Sequence, residues 1–316
     1  MTTAATLQRR LVLGGELLSV VATMKGLAAV SIHEFEEAVE ALRHYRETVE
    51  LGFQALFSIH PHLIPANSFP FNSFPANTVP TNTVPSKGGP SKPEPATVVV
   101  VIGTDQGMCG PINHVIAQEV ADWLREHSVE AAERRVVGLG ARVVRELAAA
   151  GVDVDEELQL VSTVGAVGQL VEELILHIDR WRRDNGLGRV MVFHQRPLQR
   201  TRRIPRSHQV TPPDVRRLQS IAARPWPTRA RPATPHDGND LLAELLRQDL
   251  LIGLFQAVVE AKAAEHGARL AAMQAAEQNI EEQLERLRNQ YHRLRQARIT
   301  SELLDVLSGF EALRDP

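Results

Sequence analysis

Residues 96–116 read ATVVVVIGTDQGMCGPINHVI, an apolar β-branched run that empties into glycines and then into a helical pattern. A strand, a glycine loop and a helix in succession are where many folds hold a phosphate, because the first helical turn presents unpaired N–H groups. The glycines here are Gly103, Gly107 and Gly110, spaced four and three. A dinucleotide fingerprint needs spacings of two and three, with a glycine where Asp105 stands. A P-loop needs Gly-Lys-Ser/Thr, and the loop holds no lysine. Pro111 falls in the first helical turn, where its missing N–H costs nothing. The residues therefore favour a structural strand-to-helix turn over a nucleotide site. Cys109, with His114 one turn away, has the makings of a nucleophile and base but no visible orienting group. A small buried thiol in a tight turn is the stronger reading.

Outward from this loop the pattern alternates. RRVVGLG (134–140), LQLVST (158–163) and GRVMVFHQ (188–195) read as strands. Between them NHVIAQEVADWLREH, ARVVRELAAAG and VGQLVEELILHIDRWRRD read as helices. Alternating strands and helices imply a mostly parallel sheet covered by helices. Further out the chain changes character. No proline occurs from Met1 to His60 or from His236 to Asp315, which predicts two long terminal helices. A helix from Thr6 to Phe57 would run roughly 75–80 Å, and one over the last stretch about 110 Å. Neither fits a compact globule, so the two are expected to pair as an antiparallel coiled coil. The fold class is thus α/β: a domain inserted into a long two-helix rod. The segments are a shaft helix over 1–60, a Pro-rich loop over 61–95, an α/β domain over 96–235 and a second shaft helix over 236–316. In the second helix AAEHGARLAAMQAAEQ concentrates alanine and glycine, which lets two backbones approach closely and is equally what a good helix former looks like.

The Pro-rich loop carries a pentapeptide repeat, ANSFP FNSFP ANTVP TNTVP, whose prolines block helix and central strand alike; it reads as an extended, disordered insertion. Residues 195–231 hold ten arginines and one acid. That could be an RNA-binding arm, but only Trp226 offers a stacking platform, so a solvated basic edge facing an acidic partner or lipid headgroups is favoured. The chain as a whole has a net charge of −3, which predicts neither nucleic acid nor an anionic membrane as partner. A single cysteine excludes internal disulfides and CxxC sites. No uncharged apolar run approaches the ~18 residues of a bilayer span. Arg9-Arg10 followed by LVLGGELLSVVATM looks like a twin-arginine signal, but Glu16 and Lys25 interrupt it, and a cytoplasmic location is expected. Near the C-terminus Arg293, Arg295, Gln296, Arg298 and Thr300 crowd planar donors onto a helix end, a solvated face by default but also suited to gripping an acidic surface.

Three separated segments, in order, carry a resemblance. GTDQGMCGPIN resembles S-T-D-R-G-L-C-G-G-L-N, VVEAKAAEHGARLAAMQAAEQN resembles V-V-E-x-x-A-S-E-x-x-A-R-M-x-A-M-x-x-A-T-x-N, and RLRQARITSELLDVLSG resembles A-R-Q-x-x-I-T-x-E-L-x-E-I-V-x-G. All three belong to the gamma subunit of F-type ATP synthases. Met24 and Ala28-Ala29 match more loosely a K-A-M-x-M-V-A-A helix of that family. The resemblance implies a Rossmann-like foot domain that binds no dinucleotide, with Asp105, Gly107, Cys109 and Gly110 as a structural loop. It implies a non-catalytic shaft, without cofactor or metal, that couples ion flow through the membrane ring to sequential change in the catalytic subunits. Arg295, Gln296 and Thr300 match positions that hydrogen-bond a catalytic-subunit loop, and Met24 a position close to that contact. The implied partners are the alpha and beta subunits of the head, the epsilon subunit and the c-ring, with no nucleic acid. The implied location is peripheral, on the cytoplasmic face of the inner membrane, without insertion. Where the family has K-I-T-K this chain has LSVVAT, and the proline repeat has no counterpart; these departures point to a divergent branch such as the alternate N-type form. Two other readings remain on the residues alone: a nucleotide-binding α/β enzyme with a dimerising coiled coil, and a coiled-coil scaffold holding RNA through 195–231. Neither the ion transported nor the net direction of ATP turnover is encoded here.

Overall fold

The computed structural model describes residues 4–65, 96–185, 187–198, 201–230, 232–233 and 237–312, with the side chains of 96, 182–188 and 308–312 excepted. The pentapeptide repeat lies outside them. The valine run forms β1 (Ala96–Ile102), and the glycine loop leads into α2 (Ile112–Glu126). There follow β2 (Arg134–Leu139), α3 (Ala141–Ala149), β3 (Glu156–Leu158), α4 (Val167–Asn185) and β4 (Leu187–Pro197). The domain closes with β5 (Arg203–Thr211) and α5 (Val215–Ala222); α1 (Ala4–Ile59) and α6 (Gly238–Ala312) are the terminal helices. The sheet order is β3-β2-β1-β4-β5, parallel except for the β4–β5 pair.

β1 shows no polar alternation because helices cover both sides of the sheet. Val98, Val100 and Ile102 join Val137 and Val192 against Leu170 and Leu174 of α4 and Leu254 and Val258 of α6. Val99 and Val101, on the other face, join Val136 and Phe193 against Ile116 and Val120 of α2 and Val143 and Leu147 of α3. Each such side chain contributes about 1.5–3 kcal/mol by leaving water.

The structure departs from the sequence reading in two places. The strand expected over 158–163 is β3 at Glu156–Leu158, meeting it only at Leu158. Beyond that point the Leu160 N–H goes to the Asp105 carboxylate (3.0 Å), which draws the chain out of the ladder. The arginine-rich segment, expected as an arm or basic edge, folds into β5 and α5. β5 is the last strand of the sheet, so Pro205 within it removes no ladder bond that a neighbour needs. Asp214 caps α5, its side chain accepting from the Arg216 N–H.

The chain divides into two compact units, 1–30 with 269–316, and 31–268. Each contains a stretch of both terminal helices, and in each the two run antiparallel. In the first, Lys25 pairs with Glu277 at 2.5 Å and Gly14 lies against Leu284, so that a Cβ at 14 would come within 2.6 Å of it. In the second, the Phe35 ring stacks on His266 at 5.6 Å, Arg46 reaches Gln256 at 2.7 Å and Gly52 lies against Leu245. The antiparallel pairing expected from the proline-free stretches is what the helices adopt. The small residues of α6 have a further use: Ala264 and Ala268 are buried in one cluster with Cys109 and Ile112, admitting the glycine loop against the helix.

Candidate functional site

The glycine loop turns its polar groups on itself. Asp105 accepts from the Ala141 N–H (2.9 Å) and the Leu160 N–H (3.0 Å), tying the first turn of α3 to the strand-leaving segment. Asn113 donates to Thr104 Oγ1 (2.8 Å), which in turn donates to the Gln106 carbonyl (2.9 Å). Cys109 is buried, its Sγ 3.6 Å from that same carbonyl. A Cβ at Gly103 would come within 2.3 Å of Val143, and Gly110 has φ +67°, which L-residues rarely adopt. Asp105, Gly107, Cys109 and Gly110 are thus brought together. Asp105, where a fingerprint wants glycine, puts its carboxylate on the first N–H of α3. His114 lies instead 3.2 Å from Glu146 and is no partner to the thiol.

The C-terminal third of α6 is the opposite case. Every residue from 292 to 307 is exposed, including Ile299, Leu303, Val306 and Leu307. Arg298 pairs with Glu302 at 2.8 Å, and the Thr300 hydroxyl donates to the Gln296 carbonyl at 3.0 Å. Among the described residues, the Arg295 guanidinium and the Gln296 amide have no partner. The antiparallel register carries the start of α1 level with about residue 294, so Arg295, Gln296 and Thr300 run past it. Met24 is half-buried near the level of Glu277, about 27 Å along a helix from Arg295. The structure does not bring Met24 to the other three.

A third group was not singled out in the sequence. His194 on β4 gives Nε2–H to Glu260 on α6 (2.9 Å), and both are buried. Gln256 adds a second bond to Glu260 (2.6 Å), with Arg206 at 3.5 Å and Arg196 at 3.8 Å. Burial pushes the His194 ring down, outweighing the raising effect of Glu260, and holds it neutral. Burial alone would raise the Glu260 carboxyl; the hydrogen bonds from His194 and Gln256 and the neighbouring positive charge bring it down to about 2. His208 on β5, its ring centroid 5.5 Å from that of His194, is lowered to about 3, mainly by burial. The signal in sequence was one acid, Glu260, inside the run AVVEAKAA of an otherwise apolar helix face.

A sequence model of the ATP synthase family matches residues 3–313. The ATP synthase gamma chain of Sulfurovum sp. (strain NBC37-1) is 24% identical over 216 residues, spanning 68% of this chain and 72% of the relative. This chain belongs to the ATP synthase gamma-chain family. The gamma chain of Trichlorobacter lovleyi is 43% identical over 76 residues, 24% of this chain and 26% of the relative. In fold, the chain is similar to one in the central stalk of the Tetrahymena thermophila mitochondrial ATP synthase, with a TM-score of 0.51 and 16% identity, covering 81% of this chain and 99% of that one. A gamma subunit is the central-stalk rotor of an ATP synthase.

Proposed function

We propose that this gamma subunit is the non-catalytic shaft of its complex, turned at its α/β domain and acting on the catalytic subunits through the end of α6. The observation that carries this reading is the exposed stretch 292–307, where apolar side chains stand in water together with Arg295 and Gln296, which have no partner among the described residues. An apolar surface of that extent is kept where a partner encloses it. The same holds for α1, which is long and apolar enough to cross a bilayer by length and composition, yet only 11% of that window is buried. Val12, Leu13, Leu17 and Val20 are exposed there. An enclosing ring of alpha and beta subunits covers both surfaces without membrane insertion. Arg295, Gln296 and Thr300 hydrogen-bond a loop of a catalytic subunit, as charge-assisted donors suit an acidic loop. A shaft that presents different faces to successive catalytic subunits biases each toward a different state, as any ligand with unequal affinities does. Rotation at the domain end then drives sequential release of ATP, and hydrolysis turns the shaft in reverse. Asp105, Gly107, Cys109 and Gly110 are structural in this reading. The epsilon subunit and c-ring meet the α/β domain, and the complex sits peripherally on the cytoplasmic face of the inner membrane.

The arginine-rich segment supports this over an RNA scaffold. Arg196 and Arg206 face Glu260, Arg217 faces Asp249, and Arg224 faces Glu50, so these charges are matched within the fold. Affinity isolation of the chain from its native host tests the proposal. Recovery of alpha-like and beta-like subunits in excess over the chain is expected; recovery alone, or with nucleic acid, would overturn it.

A further inference from the structure

Within the unit formed by residues 31–268, β5, α5, α1 and α6 enclose a cavity of about 210 Å³. Its walls carry Arg46, Arg206, Arg217, His208, Gln256 and Glu260. The carboxylates that face it are already engaged. Glu260 accepts from His194 and Gln256 and sits beside two arginines. Asp249 pairs with Arg217 at 2.5 Å, and Asp214 caps α5. Arg46 is different. It makes one bond, to the Gln256 side-chain amide oxygen, and among the described residues it forms no ion pair with a carboxylate, Asp249 and Glu50 acting on it only through space. A guanidinium has five N–H donors and cannot shed its charge, so a half-buried one with a single neutral partner is left short of acceptors on its inward side. Burial lowers its proton affinity, against the raising effect of Asp249 and Glu50. His208 adds a neutral ring whose buried Nδ1 has no partner, able to donate without contributing charge.

We infer that this cavity is a binding site for a small tetrahedral oxyanion, of phosphate or sulfate size, held by Arg46 with Arg206, Arg217 and His208. Such an anion supplies the acceptors that Arg46 lacks, and planar guanidinium forks match its oxygens in pairs. The volume falls below the ~300 Å³ at which sites for larger organic ligands begin, so a whole nucleotide does not fit. The site joins α1, β5 and α6, and occupancy therefore stiffens the packing of both long helices on the sheet within this unit. This inference goes beyond the shaft reading and stands or falls separately from it.

The test uses the purified full-length chain, its thermal midpoint read in sodium phosphate, sodium sulfate, ADP and sodium chloride at matched ionic strength. Phosphate at ten times its Kd is expected to raise the midpoint by about 2–5 °C over chloride. ADP should do no better than phosphate; a clear preference for ADP would overturn the assignment to a small oxyanion. Arg46→Gln should abolish the phosphate increment, whereas Arg125→Gln, which alters an exposed arginine paired with Asp122, should keep it. If Arg46→Gln fails to fold, calorimetric titration of phosphate into the unaltered chain decides. Saturable binding supports the site; its absence means the cavity holds only water and the inference is wrong.

Discussion

His194, in the second strand from the sheet edge, and Glu260, on the long C-terminal helix, share a hydrogen bond of 2.9 Å with neither side chain reaching solvent. This bond fastens α6 to the sheet at a polar point beside the apolar contacts of Val192 and Val258. Two flanking arginines and Gln256 complete the set of donors around the carboxylate. Replacing Glu260 by Ala removes the acceptor for all of them at once and leaves Arg206 and His194 facing each other. A loss of about 3–5 kcal/mol is expected. Urea unfolding of the full chain measures it, and a loss under 1 kcal/mol would show that the network relaxes without the acid.

Acid should weaken this fold early. The rings of His194 and His208 are both held below their ordinary value, the latter at about 3, so the native state binds fewer protons than the unfolded chain below pH 6.5. The stability they contribute is complete above pH 6.5 and declines as pH falls from there, by about 1.4 kcal/mol per pH unit for each fully titrating group. Glu260, lowered from 4.5 to about 2, adds its own loss only between those two values. The groups facing His208 are His194, Arg206, Glu260 and Arg46; the His194 ring is itself lowered by burial, and the two arginines keep their charge throughout. Urea midpoints from pH 7.5 to 5 should fall, and His208→Gln should flatten the slope; an equal slope in that variant would assign it elsewhere.

Asp105 bridges two backbone N–H groups from different segments. Asp105→Ala leaves both without their acceptor, at about 1–3 kcal/mol each where they stay dry. The variant should lower the thermal midpoint without altering any nucleotide response. A change in nucleotide affinity would reopen the loop as a binding site.

At the end of α6, Gln296→Ala with Thr300→Ala removes an amide and a hydroxyl that contribute little to the helix, since the Thr300 hydroxyl only bonds back to the Gln296 carbonyl. Circular dichroism of the chain should not change. ATPase turnover of the assembled complex should drop several-fold, as the loss of one or two hydrogen bonds at about 1 kcal/mol each requires. Unchanged turnover would remove these residues from the contact.

The sequence by itself determined the two long helices, because helix length is a local property and the absence of proline over each stretch is visible residue by residue. It also determined the parallel core strands, since a run such as Val98–Ile102 without polar alternation belongs only where both faces are covered. The strand-loop-helix course of the glycine segment was legible too, from the valine run, the glycines and the helical pattern that follows. What only the tertiary structure decided were the segments whose stability is borrowed from neighbours. β5 is polar and contains Pro205, and it becomes a strand because β4 offers an open edge and Glu260 lies across from its arginines. Likewise nothing local distinguishes His194, Glu260 and Arg46 from other polar residues. They are far apart in the chain, and the burial that holds His194 neutral and leaves Arg46 short of acceptors arises only when the sheet and helices close around them.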